Sequence, residues 1–536
     1  MRIGIDLGTT YCCVAYVDED GRPRVIPNAE GNETTPSVIC LTGKKAWVGQ
    51  KANMRKDVAP HQIYEFVKRD MGAPVEIPPH LYDQEDIPEA KPYAVDGFKY
   101  GAAGMSALIL RKLKRDALRH FKREGKIPKD MDEKNLDLDA VITVPAYFGD
   151  VERQKTKLAG YAAGLNVIGI INEPTAAAFS YGLGREGGKH IMVFDLGGGT
   201  FDVTILKMRP DGKAEVLATN GNRELGGKDF DAIIQDYLYD AYDRRHGGMI
   251  PADYQYEVQQ AALRAKVDLS EQEETTAFFH TDEGEMEVDL RRVAPPEQDA
   301  FSMNGNASGS NFHFEQRATS LLNRCRALCE SVLEDVDYET ARGTRRGMEW
   351  RDLDEVIMAG GSCRMPMIPD MLEAMTGQRV RRQIEGFGYD TAVAVGAALH
   401  GEHPGHALDV VAHSLGIKLQ RPSDGRFYIE HLIHKNQRLP VEVEETYRAG
   451  PRAELEVYQG ESEQPDECVS RGRLELDNPE GSVTVGLRAE RDGTLTASAD
   501  YPPDGKQEAK LKNELYTYDE RAMPLREQVQ SLRIMR

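Results

Sequence analysis

Cysteine is scarce in this chain: seven in 536 residues, an odd number that includes the adjacent pair Cys12 and Cys13. No disulfide framework or zinc-ligand spacing can be written from them, so a reduced compartment is expected. Cys325 and Cys329 stand four apart in a helical pattern, which suits small buried thiols and a redox pair alike. Long apolar runs are missing too, since no stretch approaches the roughly 18 to 20 residues that span a bilayer. The opening MRIGIDLGTTYCCVAYV is apolar but interrupted by Asp6 and the polar LGTT, unlike a signal peptide. The expectation is a cytoplasmic protein with no membrane partner. Positive charge is in deficit, with 67 Lys and Arg against 88 Asp and Glu and a net charge of −21. That sign repels phosphate backbones and anionic lipid, which argues against nucleic acid as a partner. A G-x-x-x-x-G-K-[ST] loop is absent, which disfavours a Walker-type NTPase. The one literal G-x-G-x-x-G, at Gly182, Gly184 and Gly187, follows a helical pattern and precedes a strand, the reverse of a dinucleotide site.

What is present points to a large folded chain. At roughly 150 residues per domain there is room for three or four compact units. With 40% apolar and 29% charged residues the chain can bury a sizeable core. An internal repeat organises it: IGIDLGTT (Ile3–Thr10) recurs as MVFDLGGGT (Met192–Thr200). Each copy is an apolar strand ending in Asp-Leu-Gly, a turn of small residues and a second apolar strand. Two such units predict two related α/β lobes whose turns face each other across a cleft.

Strand and helix patterns alternate around the repeats. LDAVITVPAYF and NVIGII read as strands, with Asp150 capping a helix that runs to Gly164. EPTAAAFSYG opens a helix with Pro174 in its first turn and stops at Gly182. Residues 227–275 and 315–336 read as mostly helical, 302–311 as a flexible surface loop, and DEVIMAGGSCRMPMIPDMLEAM as strand, Gly turn and helix. Beyond about residue 403, strand-length segments such as RFYIEHLI, AELEVYQG, SVTVGLRAE and TLTASADY predict a separate all-β domain. The division expected is 1–403, a linker at 404–413, a β-sandwich at 414–512 and a tail at 513–536 that holds one short helix.

The paired turns carry the chemistry. Gly-rich hairpin turns with Thr hydroxyls bind phosphate without a P-loop, because exposed N–H and O–H groups donate to phosphate oxygens with no bulky side chain in the way. Asp6 and Asp195, each at the end of the strand before its turn, suit a hydrated Mg²⁺ that screens a triphosphate. A third Gly turn, Gly360-Gly361-Ser362 before a helix, suits a nucleoside or serves only as a tight connection.

DLGTTY, TVPAYF, IINEPTAAA, FDLGGGTFDVTI, ELGGKDFD, AGGSCRMP and VAVGAA resemble, in order and spacing, the ATPase domain of the 70-kDa heat-shock chaperone family. The likeness is dense over about residues 1–400 and continues through DVVAHSLGI, VYQGE and DGTLTASA into that family's peptide-binding sandwich. The resemblance implies a two-lobed actin-like ATPase fold followed by an all-β domain. It also implies an ATP-hydrolysing chaperone using ATP, ADP, Mg²⁺ and K⁺ and acting on unfolded or extended polypeptide. Gly8, Thr9, Thr10 and Tyr11 would form the first phosphate turn, and Gly197, Gly198, Gly199 and Thr200 the second, with Gly226 and Gly227 beside them. Asp6, Glu173 and Asp195 would hold the Mg²⁺ water shell, and Asp6, Tyr11, Asp195, Thr200 and Asp202 would lie near K⁺. Lys68 would approach the γ-phosphate and the attacking water; with Glu173, Asp195, Thr200 and Asp6 it makes up the implied catalytic set. Adenosine would rest among Lys266, Ser270, Gly360, Gly361, Ser362, Arg364 and Asp390. Pro145, Arg153 and Asp409 would relay nucleotide state between domains, and Ile417, Tyr447, Gly450, Ala453 and Leu455 would line the peptide groove. For that last group, alternation along the strands fits plain sandwich core about as well.

The sequence departs from the family pattern in five places, one of them Ala453, small where the groove usually has a larger β-branched residue, which changes the expected pocket depth. Leu263 and Val267 replace an acid and an adenine-stacking arginine, which predicts weaker or less selective adenine binding. The linker keeps Asp409 but only one leucine, in GHAL, and each lost leucine forfeits about 1.5–3 kcal/mol of docking if fully buried. Gly169 stands where typical members carry an arginine that meets J-domain partners, which disfavours a standard partner of that kind, whereas a nucleotide-exchange factor remains compatible. Only 24 residues follow Lys512, so a helical lid is not expected and bound peptide should leave faster. Two other readings share the fold: a small-molecule kinase, and a scaffold that holds nucleotide as a structural ligand.

Overall fold

The computed structural model describes residues 1–43, 45–56, 58–72, 93–95, 98–131, 136, 138–181, 188–294, 312–340, 343–380, 387–403, 405, 407–450, 454–476, 481–501, 505–509, 525–526, 529–530 and 532–535. The Gly182–Gly187 motif, the segment 302–311 and Ala453 lie outside the described residues.

Each repeat unit forms the hairpin its pattern predicts. Strand Arg2–Asp6 pairs antiparallel with Tyr11–Val17 and parallel with Asp139–Val144, which runs parallel to Asn166–Asn172. Strand His190–Leu196 likewise pairs antiparallel with Phe201–Met208 and parallel with Glu355–Ala359. The two sheets therefore have matching cores, each with a Gly turn leaving the same end. Their central strands are apolar on both faces because helices cover both sides, so they read as unbroken apolar runs rather than alternating ones.

Two helices, Glu173–Ser180 and Ala392–Glu402, lie between the lobes. Alanine recurs in both, and the second adds Gly396 and Gly401, which lets backbones approach closely. A Cβ on Gly396 would sit 1.6 Å from the Ala176 carbonyl oxygen, and one on Gly4 would sit 2.2 Å from the Ala398 nitrogen. Val141, Ile191, Val193, Ile357 and Val393 close this seam with apolar contacts.

The second lobe is cored by Phe194, Phe201, Phe230, Phe279, Phe312 and Phe314, with Cys325 and Cys329 fully buried among them. Burial pushes the Cys325 thiol up to about 12 and Cys329 well above its ordinary value, so both are small apolar core groups rather than a reactive pair.

After helix Ala392–Glu402 the chain adds a short strand, Ala407–Leu408, parallel to Ala214–Glu215 at the edge of the second-lobe sheet. A sandwich of two four-stranded sheets follows. One sheet runs Phe427–Ile433, Leu415–Gln420, Glu454–Gln459, Val469–Glu475, and the other Val441–Ala449, Gly481–Ala489, Leu495–Tyr501, Gly505–Ala509. Val457, Val483, Val485, Leu487, Ala497 and Tyr501 fill the space between them.

Two local expectations change. Helix Asp150–Ala163 starts at Asp150 after Gly149, with no side-chain cap. The Asp150 carboxylate instead accepts a hydrogen bond from the Leu495 amide of the β domain over 2.9 Å. The tail carries a strand beside the helical residues expected of it. Leu525–Arg526 and Val529–Gln530 are helical, but Arg533–Ile534 is a strand, parallel to Lys45–Ala46 of the first lobe.

Candidate functional site

The first turn is held from below by Ser37, whose amide donates to Thr10 O (2.8 Å) and whose hydroxyl donates to Gly8 O (2.7 Å). In the second turn Gly197 donates to Thr200 O (3.0 Å), while the Gly197 and Gly198 carbonyls take the first amides of helix Gly227–His246, from Gly227 (2.9 Å) and Lys228 (2.8 Å). Ser362 adds a hydroxyl bond to Gly197 O at 2.9 Å. The third Gly turn is thereby tied to the second. Gly360 has φ of +82°, and a Cβ on it would lie 2.4 Å from Leu196 O, so this backbone crossing needs glycine.

The two repeat turns meet face to face. A Cβ on Gly198 would lie 2.0 Å from Thr10 Oγ1, and one on Gly199 would lie 2.5 Å from Thr9 Cγ2. Thr10 Oγ1 is buried there without a hydrogen-bond partner. Arg69 spans the same gap from the first lobe, donating to Gly199 O and pairing with Asp229 at 3.4 Å. Asp229 in turn accepts from the Gly226 amide over 2.7 Å, at the start of helix Gly227–His246.

Acidic groups gather beneath the turns. Lys68 and Glu173, both buried, form an ion pair. Asp6 accepts from Thr143 Oγ1 (3.3 Å) and Asp202 from the Ala146 amide (3.1 Å). Burial, reinforced by Glu173, raises the Asp6 pKa to about 7 despite the opposing Lys68 charge. Burial and then Glu173 also hold Asp195 and Asp202 well above the usual carboxylate range. Burial works against the Lys68 ammonium, but Glu173 and Asp6 outweigh it and the pKa is raised. Buried carboxylates crowded in this way favour a cation beside them. Among the described residues no three His, Cys, Asp or Glu side chains converge as direct metal ligands. Glycine turns that exclude a Cβ, an unpartnered threonine hydroxyl and this carboxylate set together fit a magnesium-bound polyphosphate.

The family description "Hsp70 protein" matches residues 2–528. The chain belongs to the Hsp70 family. It is 34% identical to the chaperone protein DnaK of Deinococcus proteolyticus over 94% of this chain and 77% of that protein. The DnaK proteins of Prochlorococcus marinus and Thermotoga neapolitana are 34% and 33% identical, each over 95% of this chain and over 77% and 79% of their own lengths. As an Hsp70-family member the chain is an ATP-dependent molecular chaperone, an ATPase that uses ATP, ADP and Mg²⁺ and binds unfolded polypeptide.

Within this Hsp70-family framework the other expected residues fall into three groups. Lys266, at the cleft, donates to Gly227 O (3.0 Å) and pairs with Asp231 (2.7 Å), and Ser270 donates back to Lys266 O within the same helix (3.0 Å). Arg364 pairs with Asp390 at 2.7 Å and lies over the Tyr389 ring. A Cβ on Gly361 would meet Asp390 Oδ1 at 2.9 Å. Leu263 and Val267 are 37% and 51% exposed on helix Gln255–Glu271, and Tyr11 is exposed at the rim.

A second group gathers where the domains meet. Pro145 accepts from the Phe148 amide (3.1 Å), in the same turn whose Ala146 amide binds Asp202. Arg153, buried, donates to Phe148 O (2.8 Å), Asn172 Oδ1 (2.6 Å) and Asp492 O of the β domain (3.3 Å). Burial raises the Asp409 pKa, opposed by the Arg153 charge and a hydrogen bond with Asn172. Lys157 pairs with Asp492, and His413 Nε2 meets Tyr147 O at 3.0 Å. Asn172 joins Arg153 and Asp409 and immediately precedes Glu173. It stands within IINEPTAAA, where nothing local marks it as a bridging group.

The third group is dispersed. Ile417 and Leu455 are buried in the sandwich core, Tyr447 shares a hydrogen bond with Glu430, and Gly450 is exposed. Among the described residues no helix is long and apolar enough to cross a membrane.

Proposed function

We propose that ATP is hydrolysed between the two facing turns, with Lys68 and Glu173 at the reacting end. The contact of Gly198 with Thr10 carries this reading, because it leaves a triphosphate two sets of short donors on opposite sides. Amides and hydroxyls of Gly8–Tyr11 and Gly197–Thr200 would hold the phosphates, with Gly226 and Gly227 supporting the second turn. Lys68 would neutralise charge on the γ-phosphoryl oxygens, and Glu173, held by Lys68, would orient the attacking water. Asp6, Glu173 and Asp195 are the residues to hold hydrated Mg²⁺, which when bound screens the triphosphate. Asp6, Tyr11, Asp195, Thr200 and Asp202 are the residues for K⁺. Lys266, Ser270, Gly360, Gly361, Ser362, Arg364 and Asp390 would receive the nucleoside.

The relay to the peptide domain would run from Glu173 through Asn172 to Arg153, Asp409 and Asp492, with Pro145 fixing the adjoining turn. Residues 1–403 would act as the ATPase domain, 404–413 as the linker and 414–512 as the client domain. Burial of Ile417 and Leu455 supports a role in shaping the groove from beneath, with Tyr447 and Gly450 nearer its surface. At Gly169 a Cβ would meet only Val141 Cγ2, at 3.8 Å, so packing does not require glycine there. This surface simply lacks the arginine of J-domain recognition, which argues against a standard J-protein partner and leaves an exchange factor compatible. Seven free thiols support a reducing, cytoplasmic setting.

The decisive experiment is single-turnover hydrolysis by Lys68→Ala and Glu173→Ala beside nucleotide affinity, with no acceptor metabolite present. Phosphate release by the parent chain, and its loss in both variants while ADP still binds, is the expected result.

A further inference from the structure

The described residues near the end of the chain, Leu525, Arg526, Val529, Gln530 and Leu532–Met535, pack on the first lobe. Val529, Leu532 and Ile534 are 0%, 4% and 7% exposed. Val529 and Leu532 belong to the same apolar cluster as Leu108, Leu113 and Leu158. Polar contacts read the backbone of this segment. Arg111 Nη1 donates to the carbonyls of Val529 (2.5 Å) and Leu532 (2.8 Å), and Arg115 Nη1 donates to that of Ile534 (3.2 Å). Gln530 donates to Ala162 O (3.1 Å), and Arg526 lies over the Tyr161 ring. Arg533–Ile534 then runs parallel to Lys45–Ala46, and the Met535 amide donates to Ala46 O at 2.8 Å. Strand Lys45–Val48 has Ile39–Thr42 on its other side, so the added segment covers what would otherwise be an open edge.

This is strand addition by the chain's own residues: main-chain pairing supplies attachment and alternate apolar side chains supply fit. It differs from the linker contact in place, though both add a short parallel strand to a sheet edge. Ala407–Leu408 joins the second lobe, whereas residues 525–535 join the first. Fifteen residues, 510–524, separate Ala509 of the sandwich from Leu525 and can span at most about 50 Å when drawn straight. We propose that residues 525–535 are a clasp: an internal ligand of the first lobe that seals the Lys45–Val48 edge and keeps the β domain within that reach when the linker strand leaves the second lobe. Undocking is then a swing between two fixed points, and redocking is intramolecular at an effective concentration on the order of millimolar.

Hydrogen exchange and interdomain distances in the full chain test this, in Mg-ATP and in Mg-ADP. The Met535 amide and those of Lys45–Val48 are expected to be protected in both states, with the β domain staying within about 50 Å of the clasp site. Leu532→Asp should speed exchange at both places at least tenfold and widen the distance distribution in Mg-ADP, whereas Leu532→Met should do neither. Arg111→Ala serves the same purpose should the Asp variant fold poorly. Exchange of Met535 at the rate of an unstructured peptide, or an unchanged distance distribution in a variant whose segment has come free, would overturn the clasp. A dimer by light scattering that Leu532→Asp dissolves would place the contact between two copies and overturn the internal assignment.

Discussion

Arg153 reaches Asn172 Oδ1 over 2.6 Å, and the residue after Asn172 is the Glu173 that pairs with Lys68. One buried guanidinium thus touches the domain interface on one side and, on the other, the side chain of the residue that precedes the cleft carboxylate. Arg153→Ala should cut client stimulation of ATP turnover to near unity while basal turnover shifts only a few fold. A buried hydrogen bond to a charged group contributes about 1.5–3 kcal/mol, and Asp409 loses its nearby cation as well. Arg153→Lys should restore little, because one ammonium cannot serve Phe148, Asn172 and Asp492 at once. Full stimulation in the Ala variant would remove Arg153 from the relay.

Lys68→Ala should lower the hydrolysis step about 100- to 1000-fold with ADP affinity within a few fold of the parent. Rapid-quench single turnover separates the two quantities. An equal loss in both would mean that Lys68 only holds the cleft together.

The glycines of the second turn should differ sharply. Gly198→Ala puts a methyl 2.0 Å from Thr10 Oγ1, whereas the same change at Gly197 meets Thr200 O at 3.6 Å, an ordinary contact. Nucleotide affinity should therefore fall at least about tenfold further in the first variant than in the second, by titration calorimetry.

Asp6 gives a pH signature. In the folded chain it keeps its proton up to about pH 7, whereas an unfolded carboxyl loses it near 3.8, so the folded state binds more protons across that window. Stability without nucleotide and Mg²⁺ should decline as pH rises from about 4 to about 7, seen as a falling melting temperature. Asp6→Asn should flatten that slope. A melting temperature that climbs through the same range in both proteins would contradict the burial-driven proton.

Val267 is exposed on the helix that carries Lys266, leaving room for a longer side chain. Val267→Arg should tighten adenine nucleotides about 2- to 30-fold, matching a cation–π contribution of about 0.5–2 kcal/mol. GTP in parallel tells whether the gain is selective.

The two hairpins were legible in the sequence because each is a local object: apolar strands, a turn of small residues and a carboxylate at a fixed offset. Their meeting face to face was implied by the repeat. Half of the sandwich strands were harder to see. VEVEETYRA, which forms strand Val441–Ala449, carries three glutamates and lies at a sheet edge, where charge is tolerated and the apolar signal is thin. Strand Arg533–Ile534 left no local signal, because the partner that makes it a strand is Lys45–Ala46, almost five hundred residues earlier. Arg69 and Asn172 were missed as bridging groups for the same reason. A lone Arg or Asn announces nothing until folding brings its acceptors within reach.

The seam between the lobes has a mechanical meaning. Where Gly396 lies against Ala176 and Gly4 against Ala398, backbone rests on backbone at two points of a seam that apolar side chains close elsewhere. Interlocked side chains behave like gear teeth and must disengage before two bodies can turn. Bare backbone contacts would let the lobes rock about these two points before any side chain has to disengage.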